Sequence, residues 1–410
     1  MNKQVSHIPS GYKPSPLGPI PEDWEVKRLG DLCENKGDYG LNAPATDYSV
    51  NLPTYLRITD IDDNGNFIHS AKKSVDNLSA KEYYLKDGDI VFARTGATVG
   101  KTYLYDVRDG QLVYAGFLIK FSPNPNKLIP YNLKAHTETK DYTNWVAITS
   151  QRSGQPGINA AEYCSLKLAI PPIEEQERIC NVLQLWDTAI AKQTALIEML
   201  TLRKRGLMQQ LLTGKKRLKG FEKGAFQRLG NYITECNRRN HGCNRVLSVT
   251  NTRGFILQEE QFDKIVASNN TSNYKVVRRG EFAYNPSRVN VGSLSMLNEY
   301  DEGILSPMYI VFKANENIDK NYLLQCLQSY WFRGHIPAYT QGSVRDSLSF
   351  DGLCSMKFYI PTLQEQKAIS AILDHADKEI EIQKQKLAAM QEQKKGLMQV
   401  LLTGKKRINK

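Results

Sequence analysis

The sequence predicts an α+β protein in which two globular domains alternate with two long helices, the helices pairing as an antiparallel coiled coil and the chain forming an internal pseudo-two-fold repeat. Three observations lead there. Residues 170–218 align without a gap to residues 360–408 at a constant offset of 190, and 21 of the 49 aligned positions are identical, a self-similarity that chance does not produce. Within each copy the apolar residues recur at alternating steps of four and three, the spacing of a coiled-coil seam. The stretch before each copy, roughly 140 residues, instead carries short β-favouring runs punctuated by Gly, Asn and Asp, as compact mixed domains do.

Residues 1–23 contain Pro9, Pro14, Pro16, Pro19 and Pro21, which excludes a helix and predicts an extended arm packed on the surface. Residues 24–169 form the first globular domain, with strand-like runs at Thr54 to Thr59, Asp89 to Ala93 and Leu112 to Phe121. Residues 170–213 form the first long helix, opened by Pro171, Pro172, Glu174 and Glu175 and closed by Gly214, in the order that helix starts and ends require. A basic linker, 214–223, leads to the second globular domain, 224–359, with runs at Val246 to Thr250 and Met308 to Phe312. Residues 360–410 form the second helix, closed by Gly404, and a basic tail. Each helix should cover roughly 35 to 40 residues, or about 50 to 60 Å.

The seam of the first helix reads Ile179, Leu183, Trp186, Ile190, Gln193, Ile197, Leu200, Lys204, Leu207, Leu211, and that of the second Ile369, Leu373, Ala376, Ile380, Gln383, Leu387, Met390, Lys394, Leu397, Leu401. The two polar members, Gln and Lys, fall at the same seam positions in both copies, as a register-fixing device would. Two such stripes in one chain most simply bury themselves on each other; docking on another protein is the alternative. Gly206 and Gly396 recur inside the helical pattern, where glycine is unfavourable, and suggest close approach of a partner backbone or a hinge.

Weaker similarity extends outward. Arg28-Leu29-Gly30 recurs as Arg228-Leu229-Gly230, Cys164-Ser165 as Cys354-Ser355, and Gly88 to Gly100 can be laid on Gly280 to Gly292 with matching flanks and different centres. The frame repeats while the middle varies.

With 41% hydrophobic and 24% charged residues, the composition is that of an ordinary globular protein. A net charge of +11 favours a polyanionic partner, nucleic acid first. No run of 18 apolar residues and no signal peptide appears, so a cytoplasmic protein is expected. Seven scattered cysteines without a C-x-x-C pair suit a reducing compartment. Cys236, His241 and Cys243 match no common zinc spacing, and no metal or cofactor is expected.

Catalytic motifs are mostly missing. Gly96-Ala97-Thr98-Val99-Gly100-Lys101-Thr102 has three residues between its glycines where a phosphate-binding loop needs four. Asn285-Pro286-Ser287-Arg288 resembles the opening of the Asn-Pro-Pro-aromatic motif of adenine methyltransferases but lacks the second proline and the aromatic. His136-Thr137-Glu138 lacks the cysteines of a zinc deaminase, and neither a zincin helix nor a nucleophile elbow is present. The chain reads as a binder.

Two variable domains alternating with two similar long helices, the entry Ile20-Pro21-Glu22-Asp23-Trp24, the helix openings Ile170-Pro171-Pro172-Ile173-Glu174-Glu175-Gln176 and Ile360-Pro361-Thr362-Leu363-Gln364-Glu365-Gln366, and the repeated Gly-Leu-Met-Gln-x-Leu-Leu-Thr-Gly-Lys-Lys-Arg ends together resemble the specificity subunit of a type I restriction-modification enzyme. The resemblance spans essentially the whole chain. It implies that each variable domain is a target recognition domain reading half of a bipartite double-stranded DNA site, and that the helices are a ruler and the docking surface for two modification subunits. Restriction subunits would join through the complex, and methyl transfer and ATP-driven cleavage would belong to those partners. Because the domains differ at their centres, the half-sites should differ and the site should not be a palindrome.

Base and phosphate contacts are expected from polar and basic loop residues. In the first domain these are Arg94, Thr95, Thr98 and Lys101, with Gln151, Arg152 and Gln155 on a later turn; in the second they are Asn285, Ser287, Arg288 and Asn290, with Arg345 on the later turn. Arg238, Arg239 and Arg245 form a basic cluster suited to clamping the DNA backbone. Two other readings compete: an enzyme with its own methyl-transfer or nuclease site, and a coiled-coil adaptor without DNA specificity.

Overall fold

The computed structural model describes residues 8–251, 253–261, 271–340 and 347–408. It divides into two units, residues 1–193 with 386–410 and residues 194–385, so that each long helix contributes to both.

The first unit is built on an antiparallel four-stranded sheet in the order Asp38–Tyr39, Leu118–Phe121, Ile90–Ala93, Thr102–Leu104. Ile90–Ala93 is buried throughout: Ile90 and Phe92 face one apolar cluster and Val91 and Ala93 another, as the two-residue period of a covered strand requires. A second sheet carries Thr54–Leu56 parallel to Leu112–Tyr114. The run Leu112 to Phe121 is therefore two strands in two sheets, divided by a turn at Ala115 to Leu118. Thr54 to Thr59 is likewise shorter as a strand, because Ile58–Asp60 winds into a 3-10 turn held by the Arg57–Asp60 ion pair.

The second unit contains the same arrangement. Ile233–Glu235, Ile310–Ala314, Phe282–Tyr284 and Leu294–Met296 follow one another in one antiparallel sheet, and Phe282 and Tyr284 face one cluster while Ala283 faces another. Its remaining strands differ from those of the first unit, forming the hairpin of Leu247–Thr250 with Gly254–Leu257 and the pair Lys275–Arg278 with Glu302–Leu305.

Each globular part is zipped shut where it meets a helix. Glu25–Arg28 pairs with Lys167–Ile170, and Ala225–Arg228 with Lys357–Ile360, in the same register. This explains the weak sequence matches. A side chain at Gly30 would meet Cys164 Cβ at 2.9 Å, and one at Gly230 would meet Cys354 Cβ at 3.0 Å. The recurrent glycines and cysteines are thus contact partners.

The long helices run Ile173–Leu211 and Leu363–Leu401, 39 residues each, or about 58 Å. Their starts are clamped alike. Gln176 accepts from the Ile129 amide at 2.9 Å and donates to the Pro171 carbonyl at 3.0 Å; Gln366 accepts from the Asp319 amide at 2.8 Å and donates to the Pro361 carbonyl at 2.9 Å. Their ends match too: Gly214 and Gly404 both take φ of 70°, the left-handed conformation that closes a helix and that glycine adopts without strain.

All twenty seam positions are buried or half-buried. In the first unit Ile179 and Leu183 share an apolar cluster with Met398, Leu401 and Leu402; in the second, Leu211 and Leu212 share one with Ile369 and Leu373. The seam lysines form ion pairs between helices, Lys394 with Asp187 and Lys204 with Asp377, each at 2.6 Å. At Gly206 and Gly396 an added side chain would meet nothing within 4 Å, so among the described residues no backbone of this chain approaches them.

The arm is less extended than its prolines suggest. Tyr12–Lys13 pairs with Ile20–Pro21, and the Tyr12 hydroxyl donates to the Gly404 carbonyl at 2.7 Å.

Candidate nucleic-acid interface

The loops that follow Ile90–Ala93 and Phe282–Tyr284 occupy equivalent places in their sheets. Gly88 and Gly100 before and after the first, and Gly280 and Gly292 around the second, all have positive φ between 78° and 94°. Each loop is tied to a later turn through its backbone, the first by Ile158 N–H to Arg94 O at 2.9 Å and the second by Leu348 N–H to Pro286 O at 3.2 Å.

In the first unit this brings the expected residues together. Gly96 N–H donates to Pro156 O at 2.9 Å, and the Gln155 amide packs on Gly96, whose absent side chain leaves room for it. Arg94 lies over the Tyr39 ring at 4.8 Å, with its Nε buried and without a hydrogen-bond partner. Thr98 donates to Thr95 O at 3.4 Å, and Gln151 is exposed. Two of the basic side chains are engaged within the protein: Lys101 pairs with Asp63 at 2.6 Å, and Arg152 is bidentate on Glu162 at 2.5 and 2.6 Å.

In the second unit Asn285 accepts from the Ser287 amide at 3.1 Å, which sets the turn. Ser287, Arg288 and Asn290 project from it exposed. Arg345 lies outside the described residues.

The basic cluster divides. Arg238 pairs with Glu281, whose carboxylate is buried and also accepts from the Arg278 amide at 2.9 Å, so its guanidinium holds the fold. Arg239 and Arg245 are exposed. Arg239 donates to Asn273 O at 2.6 Å, and Arg245 lies over Tyr300 at 4.8 Å. Sequence reasoning missed the aromatic platforms Tyr39 and Tyr300 under Arg94 and Arg245, since they lie far from those arginines along the chain and no spacing connects them.

No group of three or more His, Cys, Asp or Glu side chains placed to hold a metal ion occurs among the described residues.

The model of the type I restriction modification DNA specificity domain matches residues 21–201 and 260–392. The chain belongs to this family. It is 27% identical over 97% of its length to a putative type I restriction enzyme specificity subunit of Methanocaldococcus jannaschii, covering 97% of that protein. Its fold is similar to that of a chain from a structural study of the assembly and conformational transition of the type I restriction-modification system, with a TM-score of 0.57 and 17% identity over 94% of this chain and 99% of that one. It also resembles the type I restriction-modification S subunit from M. genitalium, at a TM-score of 0.52 and 14% identity, covering 93% and 96% of the two chains. The family's work is recognition of the DNA target as the specificity subunit of a type I restriction-modification system.

Proposed function

We propose that each unit reads one half of an asymmetric, bipartite DNA site. The observation that carries this is the repetition of one sheet and one loop position with different residues at the loop: Arg94, Thr95 and Thr98 in one, Ser287, Arg288 and Asn290 in the other. Residues 24–169 and 224–359 are the target recognition domains, flanked by the arm 1–23 and the linker 214–223. The helices in 170–213 and 360–410 form an antiparallel coiled coil that sets the spacer. The shared clusters and the two lysine–aspartate pairs support that pairing, because each joins the start of one helix to the end of the other. A rigid ruler of this kind suits two half-sites about one helical turn of DNA apart, centre to centre.

The same helices dock two modification subunits, and restriction subunits join through the complex. Leu185, Met199, Leu202 and Ile382 remain exposed on them, apolar residues that a partner would cover. The chain itself is non-catalytic in this reading and works in the cytoplasm.

A genome-wide map of methylated adenines, made with this chain plus its modification subunit and with the modification subunit alone, tests the proposal. One asymmetric two-part motif with a fixed gap is expected. Arg288→Ala should relax bases in one half only; relaxation of both halves, or a palindromic motif, would refute the assignment of one half-site to each unit.

A further inference from the structure

A cleft of about 360 Å³ in the second unit brings the first long helix beside the candidate reading loop; it is lined by Arg205, Tyr330, Arg333, Gly292, Thr250 and Asn251, among others. Tyr330 is 60% exposed, and its ring carries two guanidinium groups, Arg205 at 4.5 Å and Arg333 at 5.9 Å. Neighbouring cations are neutralised, Arg203 by Glu379 and Lys204 by Asp377. Arg205 and Arg333 have no carboxylate partner among the described residues. Stacking on an aromatic face fixes the plane of a guanidinium while leaving its N–H edge free for a bidentate acceptor, and a phosphate diester matches that fork.

The location narrows the partner. Gly292 closes the 3-10 turn Val289–Val291, directly after Ser287, Arg288 and Asn290, and Arg333 lies 3.6 Å from where a side chain on Gly292 would begin. A phosphate held here would belong to the same DNA segment whose bases that loop meets. Among its described residues the first unit has no counterpart. The residues 190 positions from Tyr330, Arg333 and Arg205 are Lys140, Thr143 and Lys395, so the aromatic platform and both guanidinium groups are missing there.

We propose that Arg205, Tyr330 and Arg333 form a phosphate clamp on the backbone of double-stranded DNA beside the half-site of the second unit, without an equivalent in the first. This rests on the reading of the chain as the DNA-recognition subunit. The clamp supplies affinity and positions the duplex, and leaves base choice to the loop.

The test uses the full chain assembled with its modification subunits, titrated at a series of salt concentrations onto a duplex carrying its motif and onto a random-sequence duplex. Arg205→Gln with Arg333→Gln should weaken binding to both duplexes alike, by about tenfold at moderate salt, and make the slope of log K against log salt shallower by about two. The methylated motif and the melting temperature should not change. Tyr330→Leu, which keeps both charges, should lower affinity while leaving most of the slope, and Lys395→Gln should leave the slope as it is. An unchanged slope in the double variant overturns the clamp, as does an equal loss with Lys395→Gln. Weakened assembly with an unchanged slope would assign the cleft to an acidic protein segment and overturn it too. Equal binding of the two duplexes by the unsubstituted complex would sink the recognition reading instead, while the slope would still judge the clamp.

Discussion

Lys394 on the second long helix reaches Asp187 on the first at 2.6 Å, and Lys204 on the first reaches Asp377 on the second at the same distance. Both members of one pair lie 190 residues from their counterparts in the other, at positions identical between the copies. A lysine inside an apolar seam is unfavourable by itself. Burial would lower the Lys394 pKa, but Glu138 and Asp187 outweigh it and hold the ammonium above its ordinary value. In the coiled coil proposed above, only a register that presents an aspartate to each lysine removes the penalty.

Lys394→Met should therefore destabilise the first unit by about 2 kcal/mol, since it strips Asp187 of its cation and leaves Glu138 with Lys134 alone, at 2.9 Å. Lys204→Met should cost less, because Lys204 reaches one carboxylate, Asp377, where Lys394 reaches both Asp187 and Glu138. Denaturant titration of the full chain measures both. Equal losses would mean that Glu138 contributes nothing.

A second lock joins the two ends of the chain. Glu175, 2% exposed, accepts from the Trp24 indole N–H at 3.0 Å and from Arg407 Nε at 3.1 Å, while Arg407 also pairs with Asp23 at 2.7 Å. The second unit fills the same place differently. Gly224 stands where the first unit has Trp24, and the Tyr359 ring packs under Gly214. Glu175→Gln should release both arm and tail to limited proteolysis and lower stability by about 2 kcal/mol. Release of the tail alone would show that Trp24 holds the arm without the carboxylate.

The two long helices and their bounds were legible because periodicity is a local property of a string. All twenty seam residues are withdrawn from water, and the helices begin within a few residues of the prolines. The strands were legible as runs but not as pairings, since Leu112–Tyr114 and Leu118–Phe121 belong to different sheets and only the turn at Gly116 divides them. The site was half legible. The loops 94–101 and 285–290 stood out by their repeated glycine frame. That Arg152 is held by Glu162 and Arg238 by Glu281 depends on how the folded chain places each pair, and no composition or spacing announces it.

His136 is buried on Pro130–His136, with Nε2 lacking a hydrogen-bond partner, and burial pushes its pKa down from 6.5 to about 4. The folded state then holds the ring neutral while the unfolded chain binds a proton. Stability of the first unit should be fully present above pH 6.5 and fall as pH drops towards 4, by on the order of 3 kcal/mol. His136→Leu should flatten that dependence. Thermal melts from pH 7 to pH 4 on both proteins check it, and parallel curves would locate the acid sensitivity elsewhere.

Gly206 and Gly396 sit inside regular helix, and an added side chain at either would meet nothing within 4 Å. Glycine there costs about 1 kcal/mol relative to alanine, and nothing within the described chain compensates. The same concession made at the same place in both helices points outward, to a backbone that approaches after assembly. Gly206→Ala and Gly396→Ala should each raise the stability of the isolated chain by up to about 1 kcal/mol and should weaken binding of the modification subunits. Sedimentation of mixtures at limiting concentration reads the second effect against melts of the chain alone. If both variants gain stability and assemble as before, the glycines face solvent in the complex too, and the docking surface lies on another stripe of the helices.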